Sequence, residues 1–249
     1  MDIIIDAASR VGQVRKNNED MILVGDKLVR DGVYRVEKSL TNRDMFCVAL
    51  ADGMGGHNSG ERASEVVLKS LSYVFKKPWS YMDAGMFNEA AYLWLEHINR
   101  YVESLGASDP KLEGMGTTLV GVVFNYNDLY WVNCGDSRVY SFRGGILKQL
   151  SNDHSLSNMM GETRHNGMIV NCIGAGCTSS YIDFVEFSKD IRQGDTLLLC
   201  SDGLTDMIDN EELQMIMRTN PSADELCQLA DDAGGHDNIS VCLVKVKNI

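Results

Sequence analysis

The positions in this chain best placed to do chemistry are acidic residues set beside glycine or asparagine at the ends of apolar runs. Three apolar stretches lead into or out of such an aspartate: Asp52 before Gly53, Asp202 before Gly203, and Asp237 before Asn238. Glu19 and Asp20 lie side by side nearer the start of the chain. Carboxylates that meet in one pocket repel by about 4 kcal/mol per pair, for a separation of about 4 Å and an effective dielectric near 20. Such a cluster persists only with cations or protons. All-oxygen ligation favours Mg2+ or Mn2+ over zinc, and the five histidines show no H-x-H or H-E-x-x-H spacing. Two such ions about 3.5–4 Å apart can share a hydroxide and clamp a phosphoryl group.

Phe46, Val48 and Leu50 read as a short buried strand that ends at Asp52, where a carboxylate can point into a site. Gly53 has no Cβ, so its carbonyl can come close to a bound ion. Asn58 with Glu61 makes a capping-box-like start to a helix whose apolar positions are Ala63, Val66, Val67, Leu71 and Val74. Asp-Gly is also a strong hairpin signal, and the pattern leaves Asp52 open between ligand and turn residue. A hairpin needs a second strand directly after the turn, whereas glycines and a capped helix follow here. Asp31-Gly32, with β-formers on both sides from Leu28 to Arg35, is predicted to be a hairpin.

Other phosphate chemistries are excluded by their missing motifs. There is no G-x-x-x-x-G-K-[ST] loop, no G-x-S-x-G elbow, and no cysteine followed six positions later by arginine.

The chain has 249 residues, enough for a substantial core, and a formal net charge of −12. That charge argues against sequence-independent binding to nucleic acid or to an anionic membrane. No apolar run approaches the roughly 18 residues of a membrane helix, and the first residues lack a basic signal region. The seven cysteines form no C-x-x-C and mostly sit in apolar runs as small hydrophobes, which suits a reducing cytoplasm.

Strands are predicted over 2–11, 20–24, 117–125, 129–134, 138–143, 146–150, 181–187, 195–201 and 238–246. Asp83 is placed to cap a long helix with Phe87, Ala91, Trp94, Ile98, Tyr101, Val102 and Leu105 on its core face, followed by a polar connector from Gly106 to Gly116. Two short helices are marked by Asp209 with Glu212 and by Ser222 with Glu225. Residues 152–180 show little periodicity and read as a loop or small mobile lobe. Strands outnumber what a βαβ order would give, so the class is α+β with antiparallel sheets, in one domain over residues 1–249.

A series of motifs now comes into view. Arg15 with Glu19-Asp20, Asp52-Gly53-Met54-Gly55-Gly56-His57 running on to Gly60-Glu61 and Ala63-Ser64, and Gly116-Thr117-Thr118 come first. Gly135-Asp136-Ser137-Arg138, Asp153-His154-Ser155, Ser201-Asp202-Gly203-Leu204-Thr205-Asp206 and Gly235-His236-Asp237-Asn238 follow. In order and approximate spacing this series resembles the bacterial type 2C metal-dependent protein phosphatases, the PPM family. Each motif alone is weak; the ordered series is highly specific.

The resemblance implies a four-layer α/β/β/α sandwich, two antiparallel sheets flanked by helix pairs, with the metal site in a cleft at one end. It implies two Mn2+ or Mg2+ ions, bridged by Asp52, with the Gly53 carbonyl on one and Asp202 and Asp237 on the other. Glu19 and Asp20 act nearby, partly through bound waters, and Arg15 grips the substrate phosphate. Asp136 and Asp206 match positions that hold a third metal, with Asp202 shared. Asn238 and Arg138 are expected to orient neighbours. From the residues alone, Arg15 is a surface residue and Asp136 and Asp206 are ordinary turn or helix-start acids.

The activity so implied is hydrolysis of phosphoserine and phosphothreonine in proteins by a metal-bridging hydroxide, opposing a cognate serine/threonine kinase. A cytoplasmic monomer is expected. The rival from another class is a catalytically silent phosphoprotein-binding module of the same fold; missing ligands would mark it, and none is missing. Met54 stands where eukaryotic relatives carry a histidine proposed as general acid, His57 is not assigned that role, and the flap, about residues 155–180, is short.

Overall fold

A computed structural model describes residues 1–55, 59–76, 83–161 and 168–249. The chain opens with β1 (Asp2–Arg10), β2 (Met21–Val24), β3 (Lys27–Val29), β4 (Gly32–Ser39), β5 (Met45–Ala51) and β6 (Gly53–Met54). Two long helices follow, α1 (Ser59–Lys76) and α2 (Ala84–Ser108). Next come β7 (Gly116–Thr117), β8 (Leu119–Asn125), β9 (Asp128–Cys134), β10 (Arg138–Arg143), β11 (Ile146–Gln149), α3 (Leu156–Met160), β12 (Ile173–Gly174), β13 (Asp183–Glu186) and β14 (Thr196–Cys200). The chain closes with α4 (Asp202–Thr205), α5 (Asn210–Met217), α6 (Ala223–Asp232) and β15 (Ile239–Asn248).

Side chains alternate along a strand, so one strand can serve two apolar layers. In β5, Val48 and Leu50 face one way and Cys47, Ala49 and Ala51 the other, and all are fully buried. The first set joins Ile5, Val122, Leu199 and Val244 between two six-stranded sheets, ordered β11-β10-β14-β15-β1-β4 and β13-β9-β8-β5-β2-β3. The second set packs under Val67 and Leu68 of α1 and Ile98 and Val102 of α2. On the far side Leu198, Cys200, Val241 and Leu243 pack against Leu204, Leu213 and Leu226 of α4, α5 and α6. The order is therefore α/β/β/α with antiparallel sheets, as expected, and a small third sheet, β12-β7-β6, joins the main ones near Asp52.

Local capping chemistry sets the helix starts. Asp83 accepts from Met86 N at α2, Asp209 accepts from the amides of Glu211 and Glu212 at α5, and Ser222 with Glu225 closes a full capping box at α6. The cap expected at Asn58 lies outside the described residues, as do Gly56 and His57.

Several expectations need correction. Asp31-Gly32 does not close a hairpin: β3 pairs with β2 and β4 pairs with β1, so this step crosses between the two sheets. Asp31 takes a left-handed φ of 53°, and Arg30 turns inward where a hairpin residue would face solvent. The hairpin is instead β2–β3, turning at Gly25 with φ 64°. The connector from Gly106 starts later, because α2 runs on to Ser108 before Asp109 caps a 3-10 turn at Pro110–Leu112. Tyr101 is exposed, and Leu95 takes a core position on α2 in its stead. Within 152–180 there is order: Ser155 caps α3, Gly161 ends it in the left-handed region, and β12 pairs with β7.

The registers gather the motif ends at one edge of the sandwich. Met21 faces Ala51, Arg10 faces Ile239, Cys200 faces Val241 and Arg138 faces Cys200. The residues just beyond those ends, Asp20, Asp52, Asp136, Asp202 and Asp237, are thereby brought to the same place.

Candidate metal centre

Asp52 follows the last residue of β5, and its backbone is tied down by the two threonines of β7 and the step after it. Thr118 N and Thr117 Oγ1 donate to the Asp52 carbonyl at 2.9 and 2.8 Å, and Asp52 N donates to Thr118 Oγ1 at 3.1 Å. Thr118 Oγ1 is in turn 2.7 Å from Ser137 Oγ, which couples this strand end to the loop of Asp136. Gly53 is required by crowding. A Cβ there would fall 2.2 Å from the Gly60 carbonyl oxygen and 2.6 Å from that of Glu19.

The same device joins Asp202 to Asp237. A Cβ on Gly203 would stand 2.0 Å from the carbonyl oxygen of Asn238, so the start of α4 is pressed directly on the Asp237 loop. Asn238, buried, donates through Nδ2 to the carbonyls of Val11 and Asn17 at 2.8 and 2.9 Å and accepts from Glu19 N at 2.8 Å. One amide therefore fixes the Arg15 and Glu19 loop to the Asp237 loop, the orienting role expected of it. Asp237 Oδ2 receives Arg15 Nη2 at 2.5 Å, with the side chains 34 % and 53 % exposed, so this pair sits at the mouth of the site.

Asp136 is held less directly. Gly135 donates to His154 Nδ1 at 3.1 Å and accepts from His154 N at 2.9 Å. Arg138 spends its guanidinium on Asp153, at 2.6 to 3.0 Å, and on the Tyr140 hydroxyl at 3.2 Å. It orders this loop from within the protein. Asp206 caps the C-terminus of α4, its N–H bonded to the Asp202 carbonyl at 2.7 Å, which places it one turn from Asp202.

Bringing these groups together has an electrostatic cost. Burial first, then the charges of Asp20, Asp202, Asp136 and Asp237, drives the Asp52 carboxyl well above the usual range. Burial pushes Asp20 up to about 7 against the opposing hydrogen bonds of Ser201 and Ser240, with Asp202 and Asp237 adding to the rise. Asp136 is pushed up to about 7 by burial and by Asp202, and Asp202 up to about 6 by burial, Asp206 and Asp237. Burial also raises Glu19, with Arg15 opposing.

Three of these carboxylates keep an oxygen in reserve. The Oδ1 atoms of Asp20, Asp136 and Asp202 are buried and have no hydrogen-bond partner. A buried acceptor left open costs about 1–3 kcal/mol, more when charged, so each of these oxygens calls for a proton or a cation. The set is all carboxylate, which fits a hard oxygen-seeking divalent ion. Among the described residues no three aspartate, glutamate, histidine or cysteine side chains stand in an arrangement that could hold a metal ion.

Asp52 thus lies within range of the charges of Asp20, Asp136, Asp202 and Asp237, with Asp206 beside Asp202, Glu19 near Asp237, and Arg15 at the mouth. Arg30 is a residue the sequence reading missed. Its Nε donates to the Asp20 carbonyl at 2.9 Å, while Nη1 and Nη2 reach Glu61 Oε1, the Glu61 carbonyl and Ser64 Oγ at 2.8 to 2.9 Å. An arginine at a strand end beside a turn motif reads as solvated, and no local pattern marks it otherwise.

A four-layer antiparallel sandwich with a carboxylate centre at its strand ends defines a class, and the comparisons identify it. The protein phosphatase 2C family model matches residues 30–243, and the chain belongs to that family. It is 31 % identical over 251 aligned positions to the serine/threonine phosphatase Stp of Listeria monocytogenes, covering 94 % of this chain and 92 % of that one. The serine/threonine phosphatase structure from S. agalactiae superposes with a TM-score of 0.82 at 29 % identity, covering 98 % of this chain and 100 % of that one. The catalytic domain of the serine/threonine protein phosphatase PstP, in complex with 2 manganese ions, superposes at 0.74 with 31 % identity and full coverage of both chains.

Proposed function

We propose that this chain hydrolyses phosphoserine and phosphothreonine in phosphorylated proteins, uses Mn2+ or Mg2+, and opposes a serine/threonine kinase in the cytoplasm. One observation carries the reading: buried carboxylates with unbonded oxygens meet at the strand ends of a protein phosphatase 2C chain. The manganese complex of PstP supports two ions per chain here, and seven free cysteines suit a reducing compartment.

In this reading Asp52 and the Gly53 carbonyl hold the ions together with Asp202 and Asp237, while Glu19 and Asp20 act nearby, partly through water. Asp136 and Asp206, with Asp202 shared, offer a third position. When bound, the ions supply a hydroxide near neutral pH and positive charge for the phosphoryl oxygens. The chain's own residues do the rest. Arg15 exchanges Asp237 for the substrate phosphate, and its planar guanidinium takes two oxygens at once. The contacts of Gly53, Gly203 and Asn238 hold the carboxylates in place beforehand, so little reorganisation accompanies reaction. The serine or threonine oxygen leaves in line and takes up a proton from water, since Met54 has none to give.

Every acidic residue the activity needs is present, and nothing favours the silent binding module. Phosphate release from a phosphothreonine peptide is expected with Mn2+ or Mg2+ and is expected to vanish in excess EDTA. Undiminished release in the chelator would sink the reading. A phosphoproteome compared with and without the active protein then separates a general phosphatase from one dedicated to a single regulator.

A further inference from the structure

Asp20 is fully buried, and its polar atoms are committed one by one. Its N–H donates to Asn18 Oδ1 at 3.1 Å, and its carbonyl accepts from Arg30 Nε at 2.9 Å. Its Oδ2 accepts from Ser201 Oγ at 2.8 Å, the Ser240 hydroxyl adds a second, weaker influence on the same carboxylate, and Oδ1 alone has no partner. The terminal torsion of an aspartate is broad, so the backbone does not fix the plane of the carboxylate or the direction in which its second oxygen points. Something else must.

Ser201 does this, and its own proton has one good destination. Its Oγ accepts the N–H of Ser240 at 3.0 Å, leaving the hydroxyl hydrogen to choose between Asp20 Oδ2 at 2.8 Å and the Asn238 carbonyl at 3.4 Å. The shorter, charge-assisted bond wins. Ser201 is fully buried and cannot exchange this partner for water. Behind it, Ser240 Oγ lies 2.8 Å from Ser9 Oγ, which receives Asn18 Nδ2 at 2.9 Å. A closed relay of buried hydroxyls and amides thus returns to the residue two positions before Asp20. Ser201 also directly precedes Asp202, so one hydroxyl couples the placement of two carboxylates from distant parts of the chain.

We propose that Ser201 is a positioning residue of the metal centre: its hydroxyl occupies Asp20 Oδ2 and presents Oδ1 to the ion or to an ion's water. This rests on the metal-dependent reading above. Partners that orient a metal ligand typically change affinity by about 10- to 100-fold when removed. Ser201→Ala is therefore expected to weaken Mn2+ binding about tenfold or more in calorimetric titration of the metal-stripped protein, with Ser201→Thr restoring most of it. Ser201→Cys, of similar size but a weak donor, is expected to behave like the alanine variant and replaces it should that variant not fold. A purely structural role predicts variants that differ in melting temperature yet bind Mn2+ as wild type does, and that result overturns the proposal. If wild-type protein itself takes up no Mn2+, the metal-dependent reading fails first. If wild type binds and the variants match it, only the role of Ser201 fails.

Discussion

Arg15 and Asp237 meet at the mouth of the acidic cleft, Nη2 to Oδ2 at 2.5 Å, so the guanidinium proposed to take phosphate stands on a carboxylate proposed to hold a cation. The pair is partly exposed, and such pairs hold weakly, typically by under about 1 kcal/mol. Exchange of Asp237 for a doubly charged phosphate is therefore easy. Arg15→Ala is expected to lower kcat/KM on a phosphothreonine peptide by about 10- to 100-fold, the span of a hydrogen bond to a charged group. Its Mn2+ affinity should hold or improve, because a competing cation is gone. Arg15→Lys should recover only part of the activity, since an ammonium cannot grip two oxygens in a plane. Mn2+ binding that falls with Arg15→Ala would show that Arg15 serves the ions and not the substrate.

The metal-free protein should be less stable at neutral pH than in mild acid. Asp20 and Asp136 titrate at about 7 and Asp202 at about 6 in the folded state, against 3.8 ordinarily. The folded chain thus binds protons more tightly than the unfolded one between about pH 4 and 7. The stability these groups give is complete below about pH 4 and is lost as pH rises through 6 to 7. Thermal unfolding in EDTA should show a Tm that falls between about pH 5 and 7.5, with a flatter profile in Asp136→Asn and Asp202→Asn. Mn2+ should restore the loss at the upper pH. A metal-free Tm that climbs over this interval would contradict the electrostatic account.

Much of this was legible in the sequence because the signals are local. Side-chain alternation marked the strands, Asp83 and the Ser222–Glu225 box marked helix starts, and Asp beside Gly or Asn at strand ends marked the site. What stayed hidden depends on distant partners. Asp31-Gly32 carries hairpin chemistry, yet buried Val29 belongs to one sheet and β4 to the other, and Arg30 is drawn inward by the Asp20 carbonyl and Glu61. Ser201 and Ser240 look like ordinary strand-end hydroxyls until the fold sets them beside Asp20.

Gly203 and Gly32 make a controlled pair. A Cβ on Gly203 meets backbone at 2.0 Å, which cannot swing away, whereas one on Gly32 meets nothing within 4 Å. Gly203→Ala is expected to cost about 1–3 kcal/mol or more, as overpacking does, and to weaken Mn2+ binding by shifting Asp202 against Asp237. Gly32→Ala should leave both nearly unchanged. Equal melting curves for the two variants would show that this contact does not constrain the site.

Asp136 tests the third position. It has an unbonded buried oxygen and feels the charge of Asp202, and in the proposed reading it holds a further ion loosely. Asp136→Ala is expected to reduce turnover of phosphopeptides severely while two tightly bound ions remain by titration. Unchanged turnover at saturating Mn2+ would remove the third ion from the reaction.

Metal-dependent phosphatase activity should rest on the carboxylates gathered around Asp52. The most direct measurement is Mn2+ titration and phosphothreonine-peptide hydrolysis on the same metal-stripped samples of wild type and Asp52→Asn. Wild type should be inactive when stripped, take up two ions tightly, and gain activity in step with them. Asp52→Asn should fold, lose tight uptake and stay inactive at every Mn2+ concentration. Hydrolysis by the stripped wild type, or by Asp52→Asn at the wild-type rate, would contradict it.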